Sequence, residues 1–388
     1  MKSDTPKAYL IGGGIASLAA AAYLIRDGNF DGKNIFIFEQ GQELGGSLDG
    51  QGTPETGYVI RGIRMFSDEV YNCTFDLLSF IPLDNNQNNS DSKKTLLDDF
   101  VDFNQQVKIE ARARLVENKK TIDATDFGLS VVDVAKIIKI ISLPESILRN
   151  SLISDHFSPA FFTTNFWLEW CTTFSFQPWH SAVEFKRYVR RFIQAFPELD
   201  TLTVVRQTRY NQHDSIILPL TNWLRDHGVI FVTKSRVTDL EFIGNSKEER
   251  VGEIIFQQKG QKQNITPGEN DLVFLTNGSI TANSADDWAL WKNISIGRPH
   301  FGNPDGFCNQ TDKTKWVSFS VTFRDKTFAD FMEKFSQNKS GTGGLTTFKD
   351  SNWLISIIIP QLFRPNRTSP TNRATSLSSG AMAYLPTN

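Results

Sequence analysis

Short apolar runs punctuated by glycine open the chain. Residues 8–11 are apolar, Gly12-Gly13-Gly14 breaks the run, an alanine-rich stretch extends from 15 to 26, and 34–39 (NIFIFE) is apolar again. That order predicts strand, turn, helix and strand, one βαβ unit in the first forty residues. Residues 130–141 carry a helical period with Pro144 just beyond. Eight of the nineteen residues in 161–179 are aromatic, with Pro178 interrupting. In 184–196, Phe185, Tyr188, Val189, Phe192 and Phe196 fall on one helical stripe, with Lys186, Arg187, Arg190 and Arg191 largely opposite. Strands are expected at 228–233, 235–242, 251–258, 271–276 and 353–359, and a polar surface loop at 85–94 (NNQNNSDSKK). There is no internal repeat.

Periodicity stops near Pro360. Residues 361–388 hold eight serines and threonines, three prolines and no acidic residue. Such a composition buries too little apolar surface to offset its ordering entropy, so an irregular tail is expected there. The 18 uncharged residues from 8 to 25 resemble a membrane span or a signal sequence. Three glycines and weakly apolar alanines inside the run favour the strand–turn–helix reading.

The whole chain has 388 residues, 41 basic against 43 acidic, 39% hydrophobic and 22% charged. It is therefore a folded globular protein of more than one domain rather than a disordered chain, and its near-neutral balance argues against a nucleic-acid partner. Three scattered cysteines make no disulfide framework and suit a reducing, cytoplasmic setting. Thirty-one phenylalanines and eight tryptophans call for a large core or an apolar ligand. Five histidines show no ligand spacing, so no metal site is expected, and there is no GxSxG elbow or Walker loop.

The densest chemistry lies at Gly12-Gly13-Gly14-Ile15-Ala16-Ser17, between strand and helix. Gly12 permits the tight turn, and Gly14 lets a pyrophosphate approach the backbone at the helix N-terminus. Ser17 stands where many such motifs have glycine, a position that governs helix–strand packing. Glu39 ends the second strand, 27 positions after Gly12, where an acid binds ribose hydroxyls. Gly45-Gly46 follows Glu39 at the distance of the second glycine pair in flavoproteins of the glutathione-reductase type, and the later strand running into Thr276-Asn277-Gly278-Ser279 resembles their distal flavin-contacting segment, which favours FAD over NAD.

Beyond this unit the chain resembles the oleate hydratases, also called myosin-cross-reactive antigens, from residue 8 to about 360. The resemblance rests on IGGGIASLAAA, GYVIRGIRM (57–65), FQPWHSAVEFKRY (176–188), YNQHDSIILPL (210–220) and VFLTNGS (273–279). It implies hydration of the cis-9 double bond of oleate and related unsaturated fatty acids to 10-hydroxy acids, with FAD bound and no net redox change. It assigns flavin contacts to Gly12, Gly14, Ser17, Glu39, Gln40, Gly46, Arg64, Val237, Asn277, Gly278 and Ser279. Tyr188 corresponds to the tyrosine proposed to protonate the alkene and Gln212 to a substrate-pocket glutamine. His180 is read as structural. Many family members carry glutamate after the second arginine of the RGxR motif; here Met65 follows Arg64, leaving the general base unassigned. Asp68 and Glu69 are nearby and read as solvated loop carboxylates.

The expected fold is α/β: a discontinuous, Rossmann-like FAD-binding domain over 1–94 and 216–360, an inserted helix-rich substrate domain over 95–215, and the tail 361–388. The basic face near Lys186 and Arg191 is compatible with peripheral contact to an anionic membrane, and oligomers are allowed. Two other readings stay open: an FAD-dependent oxidoreductase of the amine-oxidase or desaturase-like type, and an inactive truncated flavin-binding product. Ser379–Tyr384, read in a shifted frame, is codon-compatible with a Trp-Gly-Tyr-Gly-Leu segment that family members carry soon after the 353–359 strand. A frame-shifted tail, and a chain lacking part of its active site, is the corresponding expectation.

Overall fold

The structure is a computed structural model that describes residues 5–48, 50–53, 57–60, 64–83, 94–244, 248–276, 288–308, 316–323, 325–342, 344–352, 354–359 and 378–384. Of the expected loop at 85–94, all but Lys94 lies outside the described residues. Two compact units emerge. The first is built from Met1–Gln51, Cys73–Phe100 and Asn211–Lys315, the second from Gly52–Asn72, Val101–Tyr210 and Trp316–Asn388.

In the first unit, β1 (Ala8–Ile11) and β2 (Ile35–Phe38) are parallel neighbours linked by α1 (Ile15–Arg26). Ile230–Val232 extends the sheet beyond β2, and Leu272–Leu275 pairs with the other edge of β1, all in parallel. The apolar runs in the sequence follow from this placement, because parallel strands are shielded on both faces; all four residues of β1 are buried. An antiparallel meander of Ser235–Ile243, Arg250–Gln258 and Gln261–Ile265 supplies Val237, Leu240, Ile254 and Phe256 to one core with Tyr9, Ile11 and Phe38. Growth of the parallel sheet reverses at β1, with β2 on one side and the last strand on the other. The carboxyl end of β1 is thus the switch point at which open α/β sheets bind ligands.

The second unit holds a mixed six-stranded sheet in the order Trp316–Thr322, Ser378–Tyr384, Ser356–Ile358, Leu345–Phe348, Leu115–Glu117, Lys120–Ile122. Beside it the helices Val131–Ser142, Asn165–Phe174 and Ala182–Phe192 enclose an aromatic core that includes Phe161, Phe166, Trp167, Trp170, Phe176 and Phe185. Ser130 caps the first of these helices in a reciprocal capping box with Asp133. The third ends at Phe192 and tightens into a 3₁₀ segment, Ile193–Glu198, that contains Pro197.

Three features differ from the sequence expectations. Residues 316–360 sit with the second unit rather than the flavin unit, because Leu345–Phe348 pairs in parallel with Leu115–Glu117. The tail is not irregular throughout: Ser378–Tyr384 pairs antiparallel with both Trp316–Thr322 and Ser356–Ile358. This stretch, SSGAMAY, is uncharged and free of proline, which the average composition of 28 residues conceals. Lys186 does not belong to the solvated basic face. It is buried and donates to the Leu143 carbonyl, closing the end of the capped helix.

Candidate functional site

The glycine turn is held from three directions. Gly12 has φ +104, which favours glycine, and a Cβ there would come within 2.7 Å of Thr276. The Gly12 amide donates to the Phe38 carbonyl at 2.9 Å, and the Gly45 amide to the Gly13 carbonyl at 2.9 Å. Gly14 and Gly45 form a parallel bridge, so the two glycine pairs noted in the sequence meet in space. Gly46, at φ +56, lies so close that a Cβ on it would be 3.1 Å from Gly14 Cα.

Gly14 itself is different. It caps α1 with φ −77 and ψ 174, and nothing lies nearer than 3.9 Å to the position of a Cβ. The backbone there needs no glycine, yet the space above it is open. α1 has no acidic residue in its first turn and no side-chain cap. An open cradle at an uncapped helix N-terminus, on a sheet switch point, fits the pyrophosphate of a dinucleotide.

Glu39 closes one side of this cradle. Its Oε2 accepts from the Gly13 amide at 2.9 Å and its Oε1 from the Gly41 amide at 2.7 Å. Each oxygen keeps acceptor capacity for a ribose hydroxyl. Gln40 is exposed. Ser17 is fully buried and its hydroxyl lies 2.8 Å from that of Thr276. Val237 is buried in the apolar core with Phe38 and Phe256, its side chain a packing element. Asn277, Gly278 and Ser279 lie outside the described residues.

Thr276 opens the Thr276-Asn277-Gly278-Ser279 segment noted in the sequence, which gave it no role of its own. Its amide and hydroxyl both donate to the Ile11 carbonyl, each at 2.9 Å, which ties the last parallel strand to the turn. Its place just before Asn-Gly-Ser was the available signal.

In the second unit, Tyr188 is half-buried on the helix Ala182–Phe192. The rings of Phe176, Phe174 and Phe192 stand 5.1, 5.8 and 5.9 Å from its own, an aromatic wall on that side of the phenol. Burial and the neighbouring Tyr188 push the Tyr71 phenol above its ordinary range, while Arg191 and Arg64 pull the other way. Tyr71, Tyr188, Arg64 and Arg191 therefore share one neighbourhood, and Tyr71 is a second residue that sequence reasoning passed over. Met65 packs against a cluster of Ile109, Ala111, Leu202, Leu345 and Ile358. The position at which the resemblance led to the expectation of a carboxylate is here a core contact. Asp68 is exposed and paired with Arg206 at 3.0 Å, and Glu69 is exposed, as solvated loop carboxylates would be.

His180 accepts from the Gln177 amide at Nδ1, and burial pulls its pKa down to about 4. A histidine held neutral by burial suits the structural reading. Gln212 belongs to the first unit and is buried, directly ahead of a π-helical turn, His213–Ile217, that continues into the helix Leu218–Asp226. Such turns are frequent at functional sites. Asn211 and Asp214, also buried, brace this turn with two hydrogen bonds of 2.9 Å. Tyr188 and Gln212, paired in the sequence reading, thus belong to different units.

A family model described as MCRA family matches residues 5–365. The chain belongs to the MCRA family. This MCRA chain is 32% identical over 378 residues to an oleate hydratase of Streptococcus pyogenes serotype M49 (strain NZ131), covering 92% of this chain and 63% of that protein. It is also 32% identical over 375 residues to a linoleate hydratase of Lactiplantibacillus plantarum, covering 86% of this chain and 65% of that one. The chain thus spans just under two thirds of the length of these curated relatives. Among solved structures it resembles a Pyrococcus furiosus protein (TM-score 0.55, 12% identity, 97% of this chain and 79% of that one). It also resembles an oxidoreductase from Methanosarcina mazei (TM-score 0.53, 12% identity, 98% and 79%). At that identity the likeness is one of fold. Among the described residues, no helix of the MCRA chain is long and apolar enough to cross a membrane.

Proposed function

We propose that this chain carries the flavin cradle and the proton donor of a fatty-acid hydratase that adds water to the cis-9 double bond of oleate and related unsaturated acids. The observation that supports this most is the setting of Tyr188. A phenol flanked by the rings of Phe174, Phe176 and Phe192 suits a hydrocarbon ligand, and its hydroxyl is a proton source beside it.

Hydration then balances through this group. The Tyr188 hydroxyl gives its proton to one alkene carbon, water forms the new carbon–oxygen bond at the other, and the proton released by that water restores the phenol. Met65 has no basic atom for the last transfer, and the tyrosinate formed in the first accounts for it. Gly12, Gly14, Glu39, Gln40 and Gly46 would hold FAD through its pyrophosphate and ribose, while the fully buried Ser17, which the resemblance also gives to the flavin, holds the turn through Thr276. The resemblance adds Arg64, Val237 and Asn277–Ser279 to the flavin contacts and gives Gln212 to the substrate; these assignments rest on sequence. FAD in its reduced form, when bound, would supply an electron-rich ring that favours positive charge developing on the alkene.

Incubating the purified chain with oleate and FAD tests the reading. The expected product is 10-hydroxystearate, heavier than oleate by one water, formed without oxygen uptake. An oxidised product or measurable oxygen uptake would transfer the chain to the oxidoreductase reading.

A further inference from the structure

The second unit buries two opposite charges that do not touch. Arg114, directly ahead of the strand Leu115–Glu117, is 1% exposed, and Glu169, within the helix Asn165–Phe174, is 0% exposed. Charges taken this far from water need hydrogen bonds and a partner. Of the guanidinium hydrogens, the one on Nε goes to the Leu199 carbonyl at 3.3 Å. Those on Nη2 go to the Glu169 main-chain carbonyl at 3.3 Å and the Thr173 hydroxyl at 2.8 Å. Nη1 and both carboxylate oxygens of Glu169 are buried with no hydrogen-bond partner among the described residues.

The two groups nevertheless feel each other. Burial pushes the Glu169 carboxyl up to about 7, and Arg114 pulls against it. A carboxylate bonded directly to the guanidinium would instead sit below its ordinary range. Asp200 acts on both groups through space and bonds to neither orphaned end. What remains is a pair of donors on Arg114 and a set of acceptors on Glu169, which selects the molecule that can join them. An anion would meet the carboxylate, a cation would meet the guanidinium, and an apolar group would satisfy neither. Water accepts from one and donates to the other.

We propose that Arg114 Nη1 and the Glu169 carboxylate form an internal water-binding site, in which buried water bridges the two charges. Interior waters make about three hydrogen bonds to polar groups that lack other partners. The Thr173 hydroxyl, whose oxygen already accepts from Arg114, has a proton free for the third. The bridge fastens the sheet to the helix Asn165–Phe174, and the last residue of that helix, Phe174, belongs to the aromatic wall beside Tyr188. The inference rests on this buried pair and stands apart from the hydratase reading.

A crystal structure of the full chain that shows ordered solvent tests this without any substitution. Water density should lie within hydrogen-bond distance of both Arg114 Nη1 and a Glu169 oxygen. Glu169→Gln keeps an acceptor oxygen and should keep that water, whereas Glu169→Leu should lose it. Urea unfolding above pH 7, where Glu169 is charged, gives a second reading. Arg114→Met should lower the midpoint more in the wild-type background than in Glu169→Leu, because only the former strands a buried charge without its bridge. A direct Arg114–Glu169 contact, no density between the two groups, or an anomalous peak there after a bromide soak overturns the proposal. So does an Arg114→Met midpoint shift that is equal in both backgrounds.

Discussion

The Ser17 hydroxyl donates to the Thr276 hydroxyl across 2.8 Å, joining the first turn of α1 to the end of the last parallel strand, 259 positions away. The direction follows from counting protons: Thr276 has one, and gives it to the Ile11 carbonyl. Ser17 at the third motif position is thereby explained, since glycine could not make this bond. Thr276→Val should leave the buried Ser17 hydroxyl without its acceptor and lower stability by about 1–3 kcal/mol, read by urea unfolding. An unchanged midpoint would show that this link does not hold the turn.

Gly14 and Gly12 should behave differently when enlarged. Gly14 has an ordinary backbone conformation, and a Cβ there would meet Gly46 Cα only at ordinary contact distance, 3.9 Å. Gly14→Val should therefore keep the fold and lose flavin, seen as a normal melting curve without the flavin absorbance. Gly12→Val meets positive φ and a 2.7 Å contact, and should lower the melting temperature itself. A Gly14→Val protein that retains flavin would remove the cradle assignment.

Tyr188→Phe preserves ring packing and removes the transferable proton. Hydration should fall by about 10²-fold or more, the scale of general acid catalysis, with flavin content unchanged. Equal turnover would take Tyr188 out of the mechanism.

Two buried titratable groups in the second unit set opposing pH slopes. Burial pushes Glu169 from 4.5 up to about 7, with Arg114 pulling the other way. Its contribution to stability is full below pH about 4.5 and is lost as pH rises through about 7, a swing on the order of 3 kcal/mol. Relative to wild type, Glu169→Gln should gain stability progressively over that window and hold the gain above it. His180 runs the other way: its pKa falls from 6.5 to about 4, so its contribution is present above pH 6.5 and lost as pH falls toward 4. His180→Asn should flatten the acid limb. Melting temperatures across pH 4 to 8 for both variants decide the point, and parallel curves would contradict it.

The βαβ unit was legible because parallel strands must be continuously apolar and the turn between them needs Gly12. The aromatic helices were legible by period. Residues 316–360 were not, since a strand's partner is set by non-local pairing: nothing in Leu345–Phe348 announces Leu115–Glu117 as its neighbour. Lys186 illustrates the same limit from another side. Arg187, Arg190 and Arg191 follow it and imply a solvated face, but a carbonyl 43 positions earlier draws it inward. Thr276 and Tyr71 acquire meaning only through Ser17 and Tyr188, which the fold brings to them.

The most direct measurement of the central claim is isotopic. With oleate supplied in heavy-oxygen water under ordinary oxygen gas, the account predicts that the oxygen of the new hydroxyl group comes from water, that no oxygen gas is consumed, and that the signal collapses in Tyr188→Phe. A hydroxyl oxygen derived from the gas would contradict it.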